Sequence, residues 1–157
     1  MLQPGDDEIV RRLYPSLRRF AAVVGCGATE PDDLVQDALV ATLRVHGLAD
    51  LDFPEAYLRR SIVNLARNGR RNRWRRDDLV RRLGAPAAVT AEFPSDIADL
   101  ERLAPAERAV VYLKVVEGRP YAEIAAELGI TEEAARARSS RATAKLRVLI
   151  VEEMRRG

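Results

Sequence analysis

Residues 119–147, RPYAEIAAELGITEEAARARSSRATAKLR, constrain the chain more than any other stretch, because they read as a helix, a three-residue turn and a second helix. Tyr121, Ile124, Ala125 and Leu128 fall at i, i+3, i+4 and i+7, so one apolar stripe faces a core while Glu123 and Glu127 are expected in water. Gly129 stands where a left-handed residue ends a helix without a Cβ penalty, and Thr131 is placed to cap the next helix. Glu132 and Glu133 then meet the positive end of that helix. In the second helix Ala135, Ser139, Ala142, Leu146 and Leu149 share the inner face, which leaves Arg136, Ala137, Ser140, Arg141, Ala144 and Arg147 on or near the outer one. Arginine can grip guanine edges bidentately or clamp phosphates, so this is the pattern of a helix-turn-helix that enters a major groove. A solvated helical hairpin of a bundle carries the same pattern, and both readings stand at this point.

Aromatic residues make up 5% of the chain, and no stretch sustains the alternation of a half-buried strand, so the fold class expected is all-α. A single cysteine, Cys26, excludes an internal disulfide, and a single histidine, His46, leaves no zinc-ligand spacing; no metal and no cofactor are expected. No paired carboxylates in a glycine-rich context and no nucleophile with its base can be assembled, which argues against an enzyme. The start is acidic at Asp6, Asp7 and Glu8 rather than basic and apolar, and no run of about 18 apolar residues could span a bilayer, so a cytoplasmic location is expected.

The formal net charge of +2 conceals a strong division along the chain. Residues 1–58 carry 5 basic and 10 acidic side chains, 59–82 carry 10 and 2, 83–131 carry 4 and 8, and 132–157 carry 7 and 4. Positive charge concentrated in two segments is the footprint of a nucleic-acid binder, more than any total would be.

Helical spacing recurs through both halves. Ile9, Leu13, Leu17, Phe20 and Val24 line a first helix, and Leu34, Val35, Ala38, Leu39, Thr42 and Leu43 line a second that opens at Pro31. After a loop at 47–53, Pro54 opens a third helix with Leu58, Ser61, Ile62 and Leu65 inward and Arg59, Arg60 and Arg67 pointing elsewhere; the pattern weakens near Gly69. GAPAAVTAEFPS, residues 84–95, has linker composition. Two small helical domains, 1–82 and 97–157, joined by a flexible linker at 83–96, are therefore expected. In the second, Pro105 starts a helix that Val110, Leu113 and Val116 carry to Gly118, just before the helix-turn-helix.

The segment NLARNGRRNRWRR, residues 64–76, combines Asn64, Arg67, Arg70, Arg71, Arg73 and Trp74 with further arginines and amides, and Phe53 and Tyr57 lie close before it. Arginine holds phosphates, asparagine pairs with base edges and an aromatic ring stacks on an unpaired base, so the mixture fits a melted or single strand better than a simple duplex clamp. Trp74 serves equally well as a core anchor, and for Tyr57 and Ser61 packing outweighs base contact.

In order and spacing, PDDLVQDALVATLR, FPEAYLRRSIVNLARN and LAPAERAVVYLKVVEGRPYAEIAAELGITEEAARARSSRATAKLR resemble the extracytoplasmic-function sigma factors of bacterial RNA polymerase, over most of the chain. The resemblance implies docking on the clamp coiled coil of the polymerase's largest subunit through Leu34, Gln36 and Asp37. It implies that Asn64 captures a base flipped from the melted minus-ten element, with Phe53 in the loop that helps choose it, and that Arg136, Ala137, Ser140 and Arg141 contact the minus-thirty-five element. Core polymerase, promoter DNA and an anti-sigma protein are the implied partners. Ala135 and Ser139 are smaller than the family's usual residues there, each missing methylene being worth about 0.8 kcal/mol of burial. The alternative is a free-standing regulator that binds duplex DNA as a dimer through the helix-turn-helix alone.

Overall fold

The computed structural model describes the backbone of residues 2–82 and 99–157 and the side chains of residues 2–69 and 99–157. The linker at 83–96 and the side chains of Arg70, Arg71, Arg73 and Trp74 lie outside the described residues. Among the described residues these helices carry the fold: α1 Asp6–Gly25, α2 Pro31–Leu43, α3 Pro54–Arg82, α4 Pro105–Val111, α5 Tyr121–Leu128 and α6 Glu132–Arg156. No strand occurs among the described residues, and none of the helices is long and apolar enough to cross a membrane.

The first three helices pack on one another, and α6 packs across α4 and α5. The periodic residues do what their spacing dictates: Leu17, Phe20, Val24, Val35, Ala38, Leu58 and Ile62 are buried. Thr42, within the inner face of α2, turns its hydroxyl back to donate to the Ala38 carbonyl at 2.8 Å. Asp6, wholly buried at the start of α1, accepts from the Gln3 amide at 2.8 Å and the Ala49 amide at 3.2 Å, which pins the 47–50 loop to that helix. Although the apolar pattern weakens near Gly69, α3 runs on to Arg82.

The two halves do not sit apart. A single apolar cluster runs from Leu13, Phe20 and Leu58 through to Val110, Leu113 and Ile124, and Phe20 meets Tyr112 edge-on with ring centroids 5.6 Å apart. Two buried arginines tie the seam in opposite senses. Arg108 of α4 donates Nε and Nη2 to the Val24 carbonyl at the end of α1, at 2.9 and 2.7 Å, while its Nη1 holds the Leu103 carbonyl at 2.6 Å.

Arg59 of α3 reaches the other way, and here the structure corrects the expectation that it points away from the interior: it is 1% exposed. Its Nη1 and Nη2 grip Glu117 at 3.1 and 2.7 Å, Nη2 also donates to Glu55 at 2.9 Å and Ser16 at 2.8 Å, and Nη1 lies 3.1 Å from Glu127. Arg119 closes a ring by donating to Glu117 at 2.8 Å and Glu127 at 2.9 Å. Glu127, expected in water, is thus 7% exposed, because two guanidiniums replace the water it would otherwise require.

A second correction concerns the end of α4. The chain passes through one wide turn at Tyr112–Val116, with the Glu117 amide donating to the Tyr112 carbonyl at 3.3 Å. A residue added to a turn shifts the helical phase, so Val115 and Val116 swing outward and Val116 does not join Leu113 inside.

Candidate nucleic-acid interface

The recognition helix is set by local chemistry that its sequence spells out. Gly129 adopts φ 66°, and Thr131 Oγ1 accepts from the Ala134 amide at 3.1 Å. Ala135, Ser139, Ala142 and Leu149 turn inward, and Ser139 accepts a hydrogen bond from the Tyr121 hydroxyl at 3.0 Å, a polar link where a bulkier apolar residue would pack. Arg136, Ala137, Ser140 and Arg141 are left exposed on the outer face. Arg136 is already oriented: its Nη2 meets Glu132 at 2.8 Å and its guanidinium lies 4.8 Å from the centre of the Tyr121 ring.

Asn64 is also exposed, and it borders a cleft of about 280 Å³ between α2 and α3 lined by Ala41, Thr42, Tyr57, Arg60, Ser61 and Asn64. Tyr57, Arg60, Ser61 and Asn64 fall at i, i+3, i+4 and i+7, so one face of α3 offers a ring, a cation, a hydroxyl and an amide together. The Tyr57 ring is held edge-on by His46, centroids 5.6 Å apart. Such a set can stack on a base, hydrogen-bond its edge and hold its phosphate. The sequence favours packing over base contact for Tyr57 and Ser61 and does not mark Arg60, although their helical register with Asn64 is readable there.

Phe53 stands 76% exposed just before α3 and lines a separate groove of about 800 Å³ between the halves, where Arg60 and Arg119 also reach. The structure thus brings Phe53 and Asn64 to two cavities that share Arg60, not to one. Arg67 is exposed one turn beyond Asn64.

On α2 the three docking candidates separate. Gln36 and Asp37 are exposed, whereas Leu34 is 2% exposed and belongs to the core, where it lies so close to α1 that a Cβ added at Gly25 would come within 3.2 Å of it. Val40, one turn beyond Gln36, is the apolar residue that this surface presents. The start of α2 is fixed by Asp32, which accepts from the Tyr14 hydroxyl at 2.7 Å and from Arg18 Nε at 3.1 Å. Tyr14's hydrogen bond, joined by Arg18, holds the Asp32 carboxyl below its ordinary range. Among the described residues no group of His, Cys, Asp or Glu is placed to hold a metal ion.

Known proteins match both halves. A family model described as sigma-70 region 2 matches residues 9–76, and one described as sigma-70, region 4 matches residues 100–146. An RNA polymerase sigma-E factor from Streptomyces avermitilis is 34% identical over 151 residues, covering 90% of this chain and 82% of the relative. The RNA polymerase sigma-E factor of Streptomyces antibioticus is 32% identical over the same shares, and the RNA polymerase sigma factor NccH of Alcaligenes xylosoxydans xylosoxydans is 30% identical over 91% and 85%. Among solved structures, the sigma factor RpoE of Bartonella quintana, in complex with the anti-sigma factor NepR, has a TM-score of 0.63, with 23% identity, 92% of this chain and 95% of that chain covered.

Proposed function

Because the chain belongs to the extracytoplasmic-function sigma factors of bacterial RNA polymerase, we propose that its two exposed polar surfaces divide the work of promoter recognition, the α6 face reading duplex and the α3 cleft taking a melted strand. As a sigma factor it acts with core RNA polymerase at promoter DNA, a transcription-initiation subunit.

The observation that carries the division of labour is the α3 face with Tyr57, Arg60, Ser61 and Asn64 around one cleft. Asn64 hydrogen-bonds the edge of an extruded base, Tyr57 or Arg60 stacks on it, and Phe53 acts from the loop before the helix. Arg67, Arg70, Arg71, Arg73 and Trp74, further along α3, follow the strand that leaves the cleft. Arg136, Ala137, Ser140 and Arg141 contact the duplex. Gln36 and Asp37, with Val40, dock on core polymerase; Leu34 supports that surface from beneath. Residues 1–82 and 97–157 act as two domains on either side of a linker at 83–96. An anti-sigma protein is a fitting further partner, since the Bartonella relative is found with one. A dimeric duplex-binding regulator would use only the second half and leave the α3 cleft without work.

The test is purification with core polymerase, with a one-to-one complex and transcription from defined start sites expected. Base stacking and pairing are worth about 1–3 kcal/mol, so Asn64→Ala should reduce promoter opening roughly 5- to 150-fold and leave duplex binding nearly unchanged. Equal loss at both steps would count against base capture, and failure to bind core at low salt against the reading as a whole.

A further inference from the structure

A smaller cleft of about 110 Å³ lies between α3 and the helix-turn-helix. Its wall is Arg60, Asn64 and Arg67, at i, i+4 and i+7 of α3, together with Arg138 from α6; Leu128 and Ile130 of the turn close one side. No carboxylate lines it among the described residues, and none of the three arginines makes a hydrogen bond or ion pair with a described residue. The contrast with the rest of the seam is sharp, since Arg59 and Arg119 are ion-paired with Glu117 and Glu127.

Arg138 bears the consequence. Burial, with the nearby charges of Arg67 and Arg141, pushes its pKa down, while Glu107, which acts in the opposite sense, is already taken by Lys145 Nζ at 2.8 and 3.1 Å. Three guanidiniums lining one cleft that no described carboxylate enters favour a planar or tetrahedral oxyanion that several forks can hold together. The volume suits a small phosphate-bearing anion, not a strand.

We propose that this cleft is a phosphate site that exists only when the two halves pack together, and that a small phosphate-bearing anion held by Arg60, Arg67 and Arg138 keeps the chain in this arrangement and competes with a promoter strand for Asn64 and Arg67. The competition rests on the assignment of Asn64 and Arg67 to the strand; the anion site itself does not. A ligand that binds only the packed form stabilises it by mass action, so the effect grows with anion concentration.

Inorganic pyrophosphate, titrated into the full-length protein at constant ionic strength, is the probe. Saturable binding is expected by calorimetry, at least tenfold weaker in Arg138→Gln and of intermediate strength in Arg138→Lys, which keeps the charge and loses the fork. Spin labels at Val45→Cys and Val148→Cys, both exposed positions on opposite halves, should report a narrower distance distribution as pyrophosphate is added. Circular dichroism confirms that the variants are folded, and Arg138→Lys keeps the test alive if Arg138→Gln is not. No binding, or equal binding by the protein and Arg138→Gln, overturns the site. So does a result in which a single-stranded oligonucleotide, and not pyrophosphate, loses affinity in Arg138→Gln, because the cleft is then a backbone contact. Core binding and promoter opening without added pyrophosphate judge the sigma reading separately; if base capture fails there while pyrophosphate binding persists, the site stands and the competition falls.

Discussion

Arg59 keeps its charge inside the protein because Glu117, Glu55, Glu127 and the Ser16 hydroxyl converge on its two terminal nitrogens, and the Phe20 ring lies 5.0 Å from its guanidinium carbon. Burial opposes the charge, but the hydrogen bond to Glu117 and the surrounding carboxylates outweigh it and hold the pKa up. Only Nε is buried without an acceptor among the described residues. Removing one member of such a set strands the others, so Arg59→Ala should cost about 3–5 kcal/mol, read as a fall in the urea midpoint. Replacing the charges together, as Arg59→Met with Glu127→Gln, should lose far less, since Arg119 still serves Glu117. A double variant as unstable as the single one would mean that the cost lies in packing on Phe20. None of this was legible from the sequence. Periodicity correctly placed Leu58 and Ile62 inside, but it assumes one wet face, and α3 is covered on two sides, by α1 and by the helix-turn-helix. Of the three carboxylates that receive Arg59, Glu55 lies one helical turn away, but Glu117 and Glu127 lie 58 and 68 residues away in sequence, beyond the reach of any local pattern.

At the scale of the element, the helix-turn-helix was almost fully legible, because its determinants are local: the stripe on α5, the left-handed Gly129 and the Thr131 cap all act within a few residues. Thr131→Ala should cost about 1 kcal/mol through the lost bond to the Ala134 amide. Gly129→Ala should cost at least as much, from φ 66° and from a new Cβ that would stand 3.3 Å from Arg60 Cδ. Both are measured as thermal midpoints, and their sum should be close to additive unless the turn moves as a unit. Where an element departs from its sequence pattern, the cause is a backbone choice without a residue signature. The wide turn at Tyr112–Val116 has no glycine or proline to announce it, whereas α1 runs through the exposed Pro15 as its apolar spacing predicts. The cleft between α2 and α3 was half legible for the same reason. Asn64 stands out as a candidate by its surroundings in sequence, whereas its place in one cleft with Tyr57, Arg60 and Ser61 needed α2 to supply the opposite wall.

For the whole molecule the decisive feature is that one core and one ring of charges span both halves, which makes the packed arrangement dependent on pH. Glu117 and Glu127 face the same two arginines and yet are displaced in opposite directions. Glu127 is the more deeply buried, and burial, outweighing Arg59 and Arg119, raises its pKa above the ordinary 4.5. For Glu117 burial acts the same way, but the hydrogen bond and charge of Arg59, with Arg119, win and lower it below 4.5. The signs then follow. Ionised Glu127 is the costly form in the packed state, so its contribution is full below 4.5 and is lost as pH rises through its raised value. Ionised Glu117 is the favoured form, so its contribution is present above 4.5 and is lost as pH falls through its lowered value. Stability should therefore rise as pH drops from neutral towards 4.5 and fall below it, with Asp32, also held down, adding to the acid limb. Urea midpoints measured from pH 7 to pH 3 test the shape. Glu127→Gln should flatten the limb above 4.5 and leave the acid limb, whereas Glu117→Gln should shrink the acid limb and leave the other. A curve that falls steadily from pH 7 in the unmodified protein would show that burial of Glu127 does not outweigh its two arginines, and that the ring holds the halves together as strongly at neutral pH as it can.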